Sequence, residues 1–370
     1  MLPWFSTIAL AHDPFGEVAL EVLIRDDEPV AVWTTSGLVT REGDDWVRRC
    51  REGLTSMLAV TLAGDDILMA TTEGLQRLSP DGCGTIDGPD IDPIGHFVHW
   101  NGELLALPIA AVDHLWRSRD EGQTFEPWAL PQPVRLQSGA TAADGSLVLA
   151  STVLLHALPD ETWEELSAPD PYAFTHSVFS DGPGGALLYS GFHLVDQTSS
   201  VWTWDGVDWT EQLSLPLTVT HAACLDDSCY LTQNQLALLR WIPGDALALA
   251  DGGPPACVVR AGDTLWGCAA RASSHLLAAS TDGVTWTPWL DAAAAAERPC
   301  GDVCAVSLGT TLGPVDTGTP PVVVEEQGCG CRTTTGAPWG ALLLLGGVVT
   351  AGGRRPRSAR RGSSRGAGAA

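Results

Sequence analysis

A unit of about forty residues recurs along the chain as far as residue 290, and no other feature restricts the fold as much. Each copy has an apolar run, a turn, a second apolar run, a glycine-containing corner, and a polar turn leading into an aromatic. Val32-Trp-Thr-Thr-Ser-Gly37, running on to Asp44-Asp-Trp46, and Leu68-Met-Ala-Thr-Thr-Glu-Gly74, running on to Pro80-Asp-Gly-Cys83, show it most plainly. Later copies end on Phe125, Trp163, Trp209 and Trp286, and a degenerate copy lies around Leu247. The closing positions 46, 83, 125, 163, 209, 247 and 286 are 37 to 46 residues apart. That length houses four short strands with their turns, and such sheets repeated about an axis make a β-propeller. Runs such as Val18–Ile24 and Leu147–Ala150, bounded by Asp, Gly and Pro, have strand composition. The expectation is an all-β, seven-bladed β-propeller over residues 12–290, with six blades and irregular insertions as the alternative. Outside the C-terminal tail, only the run 291–297 has a helical composition.

Two copies carry a sharper motif. Ser118-Arg-Asp120-Glu-Gly122-Gln-Thr124-Phe125 fits S-x-D-x-G-x-T-[FW], and Ser280-Thr-Asp282-Gly283-Val-Thr285-Trp286 is the same turn one residue shorter. An Asp carboxylate at such a turn accepts backbone N–H bonds, Gly takes the positive φ, and the aromatic packs between sheets. The body thereby resembles the BNR/Asp-box, sialidase-like propellers over roughly residues 16–290. The resemblance implies that Ser118, Asp120, Gly122, Thr124, Phe125, Ser280, Asp282, Gly283, Thr285 and Trp286 are structural and lie on the outer rim.

After residue 290 the composition changes. Residues 291–327 hold Cys300, Cys304 and a Thr/Gly/Pro-rich stretch, the composition of a flexible stalk. Gly328-Cys329-Gly330-Cys331 follows, then 21 uncharged residues (333–353), then Arg354, Arg355, Arg357, Arg360 and Arg361. As a helix, that stretch would rise about 31 Å, one bilayer core, with the arginines held on the cytoplasmic side. Residues 328–361 resemble the MYXO-CTERM sorting tails. The resemblance implies inner-membrane anchoring, processing near the Cys by a membrane sorting protease, and display at the cell surface or outer membrane. Residues 362–370 read as a disordered end. Residues 1–11 read as a weak or truncated signal segment, ending Ala9-Leu10-Ala11 before His12 but without a positive start. The expected start of the chain lies further upstream.

All 20 basic residues are Arg. Thirteen of them accompany all 45 acidic residues in 1–331, giving that part a net charge of −32 against +7 for the remainder. So acidic a body repels phosphate backbones, which excludes nucleic acid as an expected partner. Of ten cysteines, eight lie upstream of the Cys motif, an even number without zinc-like spacing, as in disulfide-bonded proteins of oxidising compartments. The expected pairs are Cys224–Cys229 and Cys257–Cys268, each flanking a polar turn, with Cys300–Cys304 and Cys50–Cys83 completing the set.

No catalytic constellation accompanies the repeats. Sialidase chemistry needs an Arg trio, a Tyr nucleophile with a Glu partner and an acid/base Asp. Here only three Tyr (172, 189, 230) are present, and Arg48, Arg49, Arg51, Arg117 and Arg119 sit beside turns. His96 and His99 are three apart, on opposite faces of a strand. Asp87, Asp90 and Asp92 are the nearest approach to a Ca²⁺ loop but lack EF-hand spacing. Trp202 and Trp204 are candidates for a glycan-binding face. The reading is a monomeric, non-enzymatic, surface-displayed propeller with no cofactor, binding a protein or glycan. The alternatives are a degenerate glycoside-processing enzyme and an assembly factor.

Overall fold

The computed structural model describes residues 18–35, 37–49, 57–78, 85–170, 172–180, 182–216, 218–233, 236–245, 247–250, 252–269, 274–291 and 296–297. All belong to the first of two compact units, Met1–Arg332. The expected signal segment, Cys50, Cys83, Cys300, Cys304, most of the stalk, the Cys329/Cys331 motif and the apolar span lie outside them.

The chain is a seven-bladed β-propeller. Blade 1 holds β1 (Ala19–Arg25), β2 (Glu28–Thr34), β3 (Gly37–Glu42) and β4 (Asp45–Arg48). In blade 2 these become β5 (Met57–Ala63), β6 (Asp66–Thr71), β7 (Gly74–Leu78) and β8 (Thr85–Asp87), and in blade 3 β9 (Ile94–Trp100), β10 (Glu103–Pro108), β11 (Val112–Ser118) and β12 (Glu126–Val134). Blade 4 is β13 (Ser138–Thr141), β14 (Leu147–Ala150), β15 (Leu154–Ala157) and β16 (Trp163–Leu166). β17 (Thr175–Phe179), β18 (Leu187–His193), β19 (Thr198–Trp204) and β20 (Trp209–Pro216) make blade 5. Blade 6 follows with β21 (Val219–Leu225), β22 (Ser228–Gln233), β23 (Ala237–Trp241) and β24 (Ala248–Leu249). β25 (Cys257–Ala261), β26 (Thr264–Cys268), β27 (His275–Ser280) and β28 (Thr287–Asp291) complete blade 7. Within each blade, successive strands pair antiparallel in chain order. One 3₁₀ turn, Pro183–Gly185, is the helical element among the described residues.

Seven apolar clusters fill the seven interfaces between neighbouring blades. Alternate residues of one strand serve opposite interfaces: Leu147 and Leu149 pack toward blade 3, Val148 and Ala150 toward blade 5. A strand covered on both faces has no polar side, which is why these runs are continuously apolar rather than alternating. The first strand of each blade meets the first strands of its neighbours, so β1, β5, β9, β13, β17, β21 and β25 surround the axis.

The repeat positions have a physical role. Trp46, Phe125, Trp163, Trp209, Leu247 and Trp286 stand at or beside the start of a fourth strand, and each packs into the cluster shared with the preceding blade. An Asp-capped turn precedes four of them. Asp120 Oδ1 accepts from the Thr124 amide (2.9 Å) and Ser118 hydroxyl (2.9 Å), and Oδ2 from the Thr124 hydroxyl (2.6 Å). Asp282 Oδ1 accepts from the amides of Val284 (2.8 Å) and Thr285 (2.7 Å). Asp160 and Asp205 cap the corresponding turns before Trp163 and Trp209 without the full motif. Gly122 and Gly283 take φ of +71° and +65°, a region that a side chain rarely adopts.

The ring closes between blades 7 and 1, where Val18, Ala19, Val22, Val32 and Val39 pack against Cys257, Trp266, Cys268 and Leu277. The Ala19 amide donates to the Ala269 carbonyl (3.4 Å). Cys257–Cys268 and Cys224–Cys229 are disulfides across the first hairpins of blades 7 and 6. The run with helical composition ends instead in a strand: β29 (Ala296–Glu297) pairs parallel with β4 on the outer edge of blade 1. Hydrogen-bonding partners on an open edge outweigh the helix propensity of alanine in so short a segment.

Two outcomes test these roles. Trp286→Ala removes an aromatic lodged against Tyr230 and the 6–7 interface and is expected to cost about 3–5 kcal/mol in denaturant unfolding; a change below 1 kcal/mol would remove the wedge role. Asp120→Ala is expected to cost about 1 kcal/mol. The Thr124 bonds hold the Asp120 carboxyl down at about 2. Its contribution should be whole above the ordinary carboxylate pKa and lost as pH falls through about 2. Equal acid unfolding of wild type and variant would contradict this.

Candidate functional site

Two faces of the disc differ in what they carry. One face, called here the hairpin face, bears the turns between first and second and between third and fourth strands. The loop face bears the turns between second and third strands and the links from blade to blade.

Arginines are consumed at the hairpin face and rim as staples. Arg25 donates to the Gly64 carbonyl (2.7 Å), joining blades 1 and 2, and Arg77 to the Glu121 carbonyl (2.6 Å), joining 2 and 3. Arg117 forks onto Glu161 (2.7 and 2.9 Å) between blades 3 and 4, beside Glu103 (2.7 Å) and over the Trp128 ring. Arg119 bonds Glu103 and Glu126, Arg49 bonds Thr40 and Glu42, and Arg260 reaches the Cys224 carbonyl (3.3 Å). Tyr189 and Tyr230 are fully buried, and burial pushes both phenols up. Trp202 and Trp204 do not face solvent as a glycan platform. Both pack in the 4–5 interface, because β19 turns them toward blade 4.

The innermost strands share a local irregularity that the sequence did not reveal. In β1, β5, β9 and β21 one extra residue, Leu20, Leu58, Gly95 or Thr220, interrupts the pairing with the second strand. The next residue is Glu21, Ala59, His96 or His221. Each stands four positions before the pair that closes its hairpin (Arg25↔Glu28, Ala63↔Asp66, Trp100↔Glu103, Leu225↔Ser228), so the four share one rung. Such a bulge bends a strand and re-aims the side chain beside it. Glu21, His96 and His221 remain part-exposed in the innermost strands, near the loop-face end of the axis. Burial pushes the Glu21 carboxyl up to about 7 and the His96 imidazole down to about 4. His221 is also lowered to about 4, by burial first and then by His96 across the ring. At neutral pH both imidazoles are uncharged. His99 instead meets the Thr61 hydroxyl (3.0 Å) between blades 2 and 3.

Blade 5 puts apolar side chains into water on this same face. Tyr172 (86% exposed) and Phe174 (63%) lie in the link before β17, Leu194 (59%) and Val195 (98%) in the β18–β19 turn, and Leu236 (71%) in the β22–β23 turn of blade 6. The Phe174 amide donates to the Phe192 carbonyl (2.7 Å), which fastens the link to the turn. Asp170, buried beneath, bonds His193 through Oδ2 and accepts from the Tyr172 amide (3.3 Å). The Tyr189 hydroxyl lies 3.4 Å from the Asp170 carbonyl and 2.7 Å from His176 Nδ1.

Of the acidic loop around the end of β8, Asp92 is used internally, bonding Trp116 Nε1 (3.1 Å) and pairing with His114 (3.3 Å), while Asp87 and Asp90 are exposed. Among the described residues no three His, Cys, Asp or Glu stand close enough to hold one metal ion. No helix among them is long and apolar enough to cross a membrane.

No protein-family model matches the sequence, and no curated protein does. Solved structures do resemble the fold. Virginiamycin B lyase from Staphylococcus aureus is 13% identical with a TM-score of 0.50, covering 66% of this chain and 87% of that one. YCF48 bound to D1 peptide is 14% identical with a TM-score of 0.50, covering 70% and 91%. The extracellular domain of a one component system from B. thetaiotaomicron is 11% identical with a TM-score of 0.55, covering 72% of this chain but 38% of that one. At these identities the likeness is one of fold: this chain is built as a β-propeller, on a scaffold that serves a lyase, a peptide complex and an extracellular domain alike.

Proposed function

We propose that this protein is a surface-displayed, non-enzymatic propeller that binds a protein segment on its loop face. The observation that carries the reading is the group Tyr172, Phe174, Leu194, Val195 and Leu236, left in water on one face, with the blade 5 link and the end of β18 tied together beneath by Asp170. Apolar and aromatic side chains on a fixed loop bind at lower ordering cost than mobile ones. A propeller of similar fold, YCF48, was solved with a peptide bound. The disposition of Arg and Tyr supports the non-enzymatic reading over glycoside processing. Four of the described arginines, Arg25, Arg77, Arg117 and Arg260, staple blades, and the two core tyrosines are buried phenols with no carboxylate oxygen among the described residues in hydrogen-bond range.

The four Asp-capped turns support membership of the Asp-box type. Two hairpin disulfides fit an oxidising compartment. The Cys motif, apolar stretch and arginines of residues 328–361 are the MYXO-CTERM-like signal that would bring the protein to the surface through a sorting protease.

The full chain, immobilised in detergent, should retain a discrete partner from envelope extract. The double variant Tyr172→Ser, Phe174→Ser should lose it at least about fivefold with an unchanged melting temperature. Equal capture by both proteins, or turnover of a sialidase substrate by the wild type, would sink the proposal. For the tail, mass spectrometry of the mature protein should find a C-terminus or modification near Gly328–Cys331, and Cys329→Ala should keep the tail attached. A full-length, unmodified mature chain is the contrary result.

A further inference from the structure

The ring formed by Glu21, His96 and His221 lies at the axis near the loop face, and nothing in the proposed loop-face contact uses it. Three blades, 1, 3 and 6, insert an extra residue at the same place in the first strand, directly before these side chains. A bulge bends the strand and re-aims the side chain that follows it, and in these three blades that side chain is polar and part-exposed in an innermost strand. In the fourth bulged blade this place holds Ala59, which packs into the 2–3 interface and brings no polar group.

We infer that the axial ring of Glu21, His96 and His221 receives the cationic side chain, Arg or Lys, of the polypeptide segment bound at the loop face. This deepens the proposed function and rests on it. Chemistry and charge select the occupant. Uncharged imidazoles each offer a lone pair as acceptor and do not repel a cation, while a carboxylate supplies the counter-charge. The body around them carries −32, which draws cations and rejects anions. A bare metal ion is a poorer fit, because three ligands do not converge within coordination distance. The neighbouring apolar residues Tyr172, Phe174 and Leu236 would then cover the stem and flanking residues of the same segment.

Glu21 sets the pH dependence. No charged side chain of the elements around it is directed at it: Glu28, at the far end of β2, pairs with Arg41; β5 carries no titratable group; Arg260 of β25 turns to Cys224; and Cys268 of β26 is in a disulfide. With burial holding its carboxyl at about 7, Glu21 is mostly neutral at pH 6 and mostly ionised at pH 8. Both histidines stay uncharged across that range. Affinity for a cation should therefore rise about tenfold between pH 6 and pH 8, following the ionised fraction.

The test uses the oxidised full chain in detergent and two fluorescent peptides, a single Arg flanked by Phe and Leu, and its citrulline twin. Fluorescence anisotropy should show the Arg peptide binding at least about tenfold more tightly at pH 8. The advantage should shrink toward pH 6 and vanish in Glu21→Gln. Phe174→Ser should weaken both peptides yet keep the pH slope, which guards against a folding defect in the Glu21 variant. Equal binding of the two peptides with a flat pH profile overturns the inference while leaving the apolar face intact as a binding surface. Binding of neither peptide overturns it as well. Loss of pull-down capture in the Tyr172/Phe174 variant reads the loop-face proposal separately.

Discussion

Each blade must be covered on both faces, and the structure depends on how that burial is achieved. A lone four-stranded sheet with Leu and Val on both sides has no solvent-facing surface and cannot exist unless neighbours cover it. In six of the seven blades a large described residue at or beside the start of the fourth strand settles the matter locally. It leans into the preceding blade, so these blades are defined by the one before them, and the exposed face of a last blade is covered only by closing the ring. The closing interface is apolar like the other six, and the Cys257–Cys268 disulfide of blade 7 is packed into it. The two disulfides lie in blades 6 and 7, so cross-linked hairpins are concentrated where the chain's last blades meet its first.

The division of labour between the faces follows from the same constraint. Turns on the hairpin face are short, four of them are capped by Asp, and Arg25, Arg77, Arg117 and Arg260 reach across to neighbouring blades. Partner atoms are available in that direction and the long guanidinium stem can cover apolar surface on the way. The loop face has longer links, and among its described residues no arginine is seen to join two blades. A tight network there, Asp170 with His193 and Tyr189 beside His176, lies under exposed apolar side chains of blade 5. Polar bonding is buried and apolar surface exposed, the reverse of ordinary surface design.

The repeat was legible because its signal is a large apolar residue after a turn-forming Asp or Gly, and both halves leave a mark in composition. The described marks fall at the fourth strands, including the degenerate one at Leu247. The two hairpin disulfides were legible for a related reason, since a polar turn between apolar runs puts cross-strand partners opposite one another. The ring at the axis was not. A bulge is a property of register, and Leu20, Leu58, Gly95 and Thr220 share no chemistry by which to recognise it. Trp202 and Trp204 suggested a glycan surface because aromatic pairs often form one, but strand order directs both inward. Tyr172 and Phe174 carry no signal in the sequence, since two aromatics in a loop say nothing until the fold shows what lies beneath them.

The outer edges of the blades show how the molecule avoids its own kind. Fourth strands offer unpaired backbone to any other chain, and several are spoiled for that purpose by proline: Pro127, Pro131 and Pro133 in β12, Pro216 in β20, Pro288 in β28. β4, Asp-Trp-Val-Arg, has no proline. Its edge is occupied by Ala296 and Glu297 instead. Two residues beyond the last blade thus cap one of the four fourth strands that carry no proline, β4, β8, β16 and β24, and the readiness of a disc crowded beside others of its type to pair edge to edge depends in part on so small a patch of backbone.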